Sequence, residues 1–108
     1  MASIEQLAPR EAATRLGADD PPRLIDVRTY GEYDIAHIRG SVHIPMSDIV
    51  ERVHELDPQE PLIILCHHGI RSYRVAGWLV SKGFTDVANL ARGIEGWSLQ
   101  VDPTVPRY

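Results

Sequence analysis

Residues 61–65 read Pro-Leu-Ile-Ile-Leu, an unbroken apolar run that stops at Cys66. A half-exposed strand would alternate with polar residues, and a helix would be longer and striped, so a run of this length fits a strand covered on both faces. Such a strand belongs at the centre of a sheet with layers above and below it. Residues 23–27 (Arg-Leu-Ile-Asp-Val) and 86–90 (Asp-Val-Ala-Asn-Leu) are similar short stretches, and helical patterns lie between them. Strands that alternate with helices build βαβ units, so the chain reads as one α/β domain over residues 1–108, with a parallel sheet flanked by helices.

The remaining elements follow from punctuation. Residues 4–7 (Ile-Glu-Gln-Leu) read as a short strand, after which Pro9 opens a helix that ends at Gly17; the alternative is a single helix capped by Ser3. Residues 18–23 form a turn. Residues 41–45 give a short strand stopped by Pro45, and Ile49, Val50, Val53 and Leu56 fall at helical spacing within 46–56. Val75, Ala76, Leu79 and Val80 stripe a helix that Lys82 and Gly83 terminate. Residues 93–100 predict a last short helix. Trp78 and Trp97 are expected to anchor the core. Residues 101–108 carry two prolines and no period, and form a tail from about 101 that either packs or frays.

Composition excludes several classes of function. The net charge of −4 comes without a basic block, so neither nucleic acid nor an anionic membrane is a suitable general partner. The first residues lack the apolar centre of a secretory signal, and no stretch approaches the roughly 18 apolar residues of a membrane span. The chain is expected to be soluble and cytoplasmic. Its single cysteine cannot close an internal disulfide, which leaves a free thiol whose surroundings must explain it.

Cys66 stands where a parallel strand ends, the place where open α/β sheets bind ligands. Residues 67–71 then offer successive backbone N–H groups, the permissive Gly69 and a helix N-terminus, which together favour an anion. An isolated cysteine is only a few per cent thiolate at neutral pH, and helix N-termini and cations raise that fraction. Arg71 adds a planar fork suited to oxyanions, Arg74 a second charge one turn later, and His67 and His68 further donors. Ser72 either hydrogen-bonds the sulfur or caps the helix. The functional expectation is a nucleophilic thiolate on the floor of an anion-binding loop. A cysteine at a strand end is otherwise a small core residue, but that role needs no Gly, Arg and Ser beyond it. A zinc site from Cys66, His67, His68 and His43 is disfavoured, because adjacent side chains rarely converge on one ion and the common ligand spacings are missing. Arg28 is expected to supply positive potential at the sheet edge or to pair with a carboxylate such as Glu32. His37 is expected to be structural.

These residues resemble the rhodanese family. Residues 66–72 (Cys-His-His-Gly-Ile-Arg-Ser) are similar to its Cys-x-x-Gly-x-Arg-Ser loop, and residues 24–33, 36–45 and 89–97 resemble three further motifs in the family's order. The resemblance implies a three-layer rhodanese-like fold of about five parallel strands with helices on both faces. It also implies a sulfurtransferase. Cys66 would take a sulfane sulfur from thiosulfate or a similar anion, carry it as a persulfide and yield it to cyanide, a thiol or a protein, with no cofactor. Residues His67, His68, Gly69, Ile70, Arg71 and Ser72 would bind the donor, with Arg28 and Arg74 as possible support. Phosphatases and arsenate reductases of the same fold, and non-catalytic binding modules, are the alternatives. Related phosphatases place one more residue between Cys and Arg than the four found here. Two positions depart from the family's usual wording: Ala36 stands where a glycine commonly precedes the histidine, and Arg92 where the first of a glycine pair is frequent.

Overall fold

A computed structural model describes residues 4–108. The chain runs β1 (Glu5–Leu7), α1 (Pro9–Leu16), β2 (Arg23–Asp26), α2 (Tyr30–Ile35), β3 (Val42–His43), α3 (Ile49–Arg52), β4 (Leu62–Leu65), α4 (Ile70–Ser81), β5 (Val87–Leu90) and α5 (Gly93–Gln100). The five strands are all parallel, in the order β1-β5-β4-β2-β3.

The central position of β4 explains its composition. Its residues alternate between faces: Leu62 and Ile64 join a core cluster with Val75, Ala76 and Leu79 of α4, whereas Ile63 and Leu65 join one with Ala12 of α1 and with Ile94 and Trp97 of α5. Each face must therefore be apolar, and helices cover both. Every β4 residue is buried, and each large aliphatic side chain so placed contributes about 1.5–3 kcal/mol. Trp97 is buried in the second cluster; Trp78 is partly buried against the first, with Lys82 Nζ over its ring.

Helix α1 begins at Pro9 and is capped at Gly17. The strand before it is β1, and Ser3, on which the single-helix alternative depends, lies outside the described residues. The expected helix over 46–56 is instead one α-helical turn between two 3-10 turns, Met46–Asp48 and Val53–Glu55. Its stripe is incomplete, since Val50 is exposed. Helix α2 carries a capping box in which Thr29 Oγ1 accepts from Glu32 N while the Glu32 carboxylate accepts from Thr29 N. The segment 101–108 packs: Val105 is buried and its carbonyl accepts from Ser98 Oγ. Arg92 has φ −107°, which any residue tolerates, and the adjacent Gly93 takes the positive φ of 59°. Ala36 is extended, at φ −160°, which any residue also adopts. No helix among the described residues is long and apolar enough to cross a membrane.

The chain leaves β2 toward β3 at one side and leaves β4 toward β5 at the other. The connections that follow β2 and β4 thus diverge, the arrangement at which such sheets place ligands.

Candidate active site

Cys66 follows β4 and continues its alternation, so its side chain points to the face shared with Val27 and Val75. It is 1% exposed, and in that sense it is a core residue. Its sulfur is nevertheless engaged by two donors, Gly69 N at 3.1 Å and Ser72 Oγ at 3.2 Å. Ser72 therefore serves the sulfur. Among the described residues, the backbone amide that donates to the sulfur itself is that of Gly69.

The loop's shape rests on two close approaches. Gly69 has φ 97°, and a Cβ there would lie 2.2 Å from the carbonyl oxygen of Ala91. A Cβ on Gly93 would lie 2.3 Å from the carbonyl oxygen of His67. That proximity lets the start of α5 hold the loop from behind, with Ile94 N donating to Cys66 O at 2.9 Å and Glu95 N to His67 O at 3.2 Å. Asn89, a polar residue within β5, donates Nδ2 to Gly69 O at 3.0 Å and to Gln6 Oε1 at 2.9 Å.

Arg71 does not project an empty fork. Its Nη1 and Nη2 donate to Glu32 Oε1 and Oε2 at 2.6 and 2.9 Å. Glu32 also accepts from the Tyr108 hydroxyl at 2.7 Å. Arg71 beside it holds the Glu32 carboxyl far below the usual carboxylate range, against the opposing effect of burial and with help from Tyr108. Glu32 in turn raises Arg71.

Arg28 takes the structural of its two expected roles, pairing with a carboxylate. Its carboxylate partner is Asp26, not Glu32: Nη2 donates to Oδ2 at 2.7 Å and Nε to Oδ1 at 3.0 Å, with both side chains wholly buried. Glu32 offers it only a backbone carbonyl, at 3.3 Å. The remaining donors of Arg28 reach Ala36 O and the Tyr108 hydroxyl. Burial opposes its charge, and the hydrogen bonds to Asp26 and Tyr108 outweigh that, leaving Arg28 raised.

Tyr108, from the segment expected either to pack or to fray, lies over the loop. Its ring stacks on His67 at 4.0 Å, and burial first, with its bond to Glu32, pushes its hydroxyl up to about 12. His67 is sandwiched between Tyr108 and His68, its Nε2 buried with no hydrogen-bond partner among the described residues. Burial, then His68, lowers its affinity for a proton.

The other expected ligand-binding residues divide between two clefts. His68, Ile70 and Arg74 line one with Gln6 and Tyr73, whereas Arg71 lines another with Val27, Thr29, Pro45 and Met46. Arg71 and Arg74, three positions apart on α4, thus line different clefts. His37 stacks on Tyr33 and bonds its carbonyl, and His43 bonds Arg28 O at 2.7 Å. Tyr108 and Asn89 have no role in the sequence reading, and Glu32 enters it only as a candidate partner for Arg28, not for Arg71. The Thr29-x-x-Glu32 capping box marks Glu32, and an amide side chain within an otherwise apolar strand marks Asn89.

Comparison with known proteins gives a consistent result. A profile of the rhodanese-like domain matches residues 8–100. The thiosulfate sulfurtransferase GlpE of Pseudomonas paraeruginosa is 32% identical over 95 residues, covering 88% of this chain and 84% of that protein. YrkF of Bacillus subtilis, whose name proposes a sulfur carrier, is 33% identical over 96 residues, covering 89% of this chain. The chain spans about half of YrkF, 52% of its length. Among solved structures, a rhodanese-like domain protein from Staphylococcus aureus superposes with a TM-score of 0.85 at 26% identity, covering 97% of this chain and 99% of that one.

Proposed function

The chain belongs to the rhodanese-like family, and from that premise we propose that it is a sulfurtransferase working through a persulfide on Cys66. The thiolate attacks the outer sulfur of a donor such as thiosulfate. A sulfur–sulfur bond forms at Cys66, the donor's own sulfur–sulfur bond breaks, and sulfite departs with the electron pair. A thiophilic acceptor (cyanide, a thiol or a protein) then removes the outer sulfur and restores the thiolate. Residues 67–72 surround that exchange. The cycle needs no resident metal or organic cofactor, because sulfur is both nucleophile and cargo.

The observation that carries this reading is the pair of donors on the Cys66 sulfur. Gly69 N–H and Ser72 Oγ–H both direct hydrogen at the atom that must hold negative charge, first as thiolate and then as persulfide. A cysteine serving only as filler needs neither. The test is mass spectrometry after incubation with thiosulfate: a gain of one sulfur atom on Cys66 is expected, and none in Cys66→Ser. Intact protein that stays unmodified while cleaving an aryl phosphate would replace this reading with a phosphatase.

A further inference from the structure

The group best suited to receive an anionic donor is already occupied. Both terminal nitrogens of Arg71 donate to Glu32, at 2.6 and 2.9 Å. Glu32 is itself fixed in place, since Thr29 N and Oγ1 each reach Oε1 at 3.2 Å and the Tyr108 hydroxyl reaches Oε2 at 2.7 Å. Tyr108 is held in turn by its stack on His67 and by Arg28 Nη1 at 2.9 Å. Nearby cations offer no substitute. Arg28 is buried against Asp26, Arg74 lines the other cleft, and protonation of His67 is opposed by burial. The charges of Arg71 and Glu32 cancel, as do those of Arg28 and Asp26, so a dianion beside the Cys66 thiolate meets no uncompensated cation among these side chains. Beyond Arg71, the adjoining cleft is walled by Val27, Thr29, Pro45, Met46 and Ser47, none of them cationic.

We propose that Glu32 is a specificity-determining residue: by filling the Arg71 fork it disfavours dianionic oxyanion donors, leaving the site suited to organic persulfides whose carbon carrier lies along the Pro45–Met46 wall. The proposal rests on the sulfurtransferase reading and names its donor class. In the step it favours, the Cys66 thiolate attacks the terminal sulfur of R–S–SH. The bond to R–S breaks, Cys66–S–SH forms, and R–S⁻ leaves with the electron pair and takes a proton from water. Thiosulfate would undergo the same bond exchange with sulfite as leaving group, so the two donors differ chiefly in the charge brought to Arg71. A dianion must displace Glu32 from that fork or sit beside it, and both are unfavourable between like charges.

The test compares second-order rates of sulfur uptake by Cys66 from thiosulfate and from cysteine persulfide, a donor with no net charge on its carrier. Each variant supplies its own ratio of the two rates, so a reduced folded fraction cancels. Glu32→Gln keeps an oxygen for the Thr29 cap but removes the competing charge. Its thiosulfate-to-persulfide ratio should rise at least tenfold over wild type. The rise should vanish in Glu32→Gln/Arg71→Gln, because the freed fork is what the dianion uses. A Glu32→Gln ratio within about threefold of wild type would overturn the proposal, as would a rise that survives loss of Arg71; in both cases sulfur uptake itself leaves the sulfurtransferase reading standing. Uptake from neither donor would remove that reading and this one together.

Discussion

Replacing Asp26 by Asn should be among the most damaging isosteric changes in the domain. Arg28 is wholly buried, and its hydrogen bonds divide between Asp26, to which Nε and Nη2 donate at 2.7–3.1 Å, and the oxygens of Glu32, Ala36 and Tyr108. The substitution preserves shape but strands a guanidinium away from water. Removing one partner of a buried ion pair costs about 3–5 kcal/mol, against about 5–15 kcal/mol for the stability of a whole domain. Two backbone carbonyls and the Tyr108 hydroxyl continue to solvate the cation, which places the expectation near the lower end, ~3 kcal/mol. For a domain of this size that corresponds to a fall in Tm of about 12 °C. Urea unfolding followed by tryptophan fluorescence gives the free energy directly, and an unchanged denaturant slope would show that the same surface is exposed. Asp26→Asn/Arg28→Met, which removes both charges, should recover most of the loss. A single-variant cost below about 1 kcal/mol, or a double variant no better than the single, would refute the claim that an unpaired buried charge is the cause.

Three further outcomes follow from the same geometry. Gly69→Ala forces a side chain against Ala91 O at a positive φ, a strain of about 1–3 kcal/mol before any clash is relieved, and should lower Tm and cut sulfur uptake at least tenfold; wild-type uptake would contradict the loop geometry. Ser72→Ala removes one of the two donors on the sulfur, worth ~1 kcal/mol, and should slow alkylation of Cys66 by iodoacetamide about fivefold at neutral pH, an effect that an unchanged rate would exclude. Glu32 binds its proton more weakly when folded than unfolded, so its contribution to stability is complete above the ordinary value of about 4.3 and is lost as pH falls through its lower folded value. Urea midpoints should therefore decline on acidification below about pH 5 less steeply in Glu32→Gln than in wild type; parallel profiles would deny Glu32 that role.

The sheet was legible because β4 is apolar on both faces, and that pattern admits few other placements. Helix α4 was legible from its stripe and from the Lys82–Gly83 stop. The segment 46–56 was misread because helical spacing of Ile49, Val53 and Leu56 is compatible with a string of single turns, and spacing alone does not reveal that Val50 faces water. That Arg28 pairs with a carboxylate was legible; that the carboxylate is Asp26 rather than Glu32 has a local reason, since residues two apart at a strand end share a face. The cysteine, its glycine and its serine were readable as a unit because they are close in sequence. Arg71's partner was not, since Glu32 lies 39 residues away and nothing local ties the two. Tyr108 escaped notice because prolines remove periodicity without preventing burial, as Val105 demonstrates.

The amides that α5 lends to Cys66 O and His67 O have a consequence for a chain still being made. A nascent polypeptide carries its thiol from residue 66 onward, yet the turn around that thiol lacks its rear support until residues 94 and 95 have emerged. On the proposed reading, sulfur transfer is in this way postponed to the finished domain. Unfinished or prematurely terminated chains would present an ordinary cysteine, without the loop posture that α5 supports.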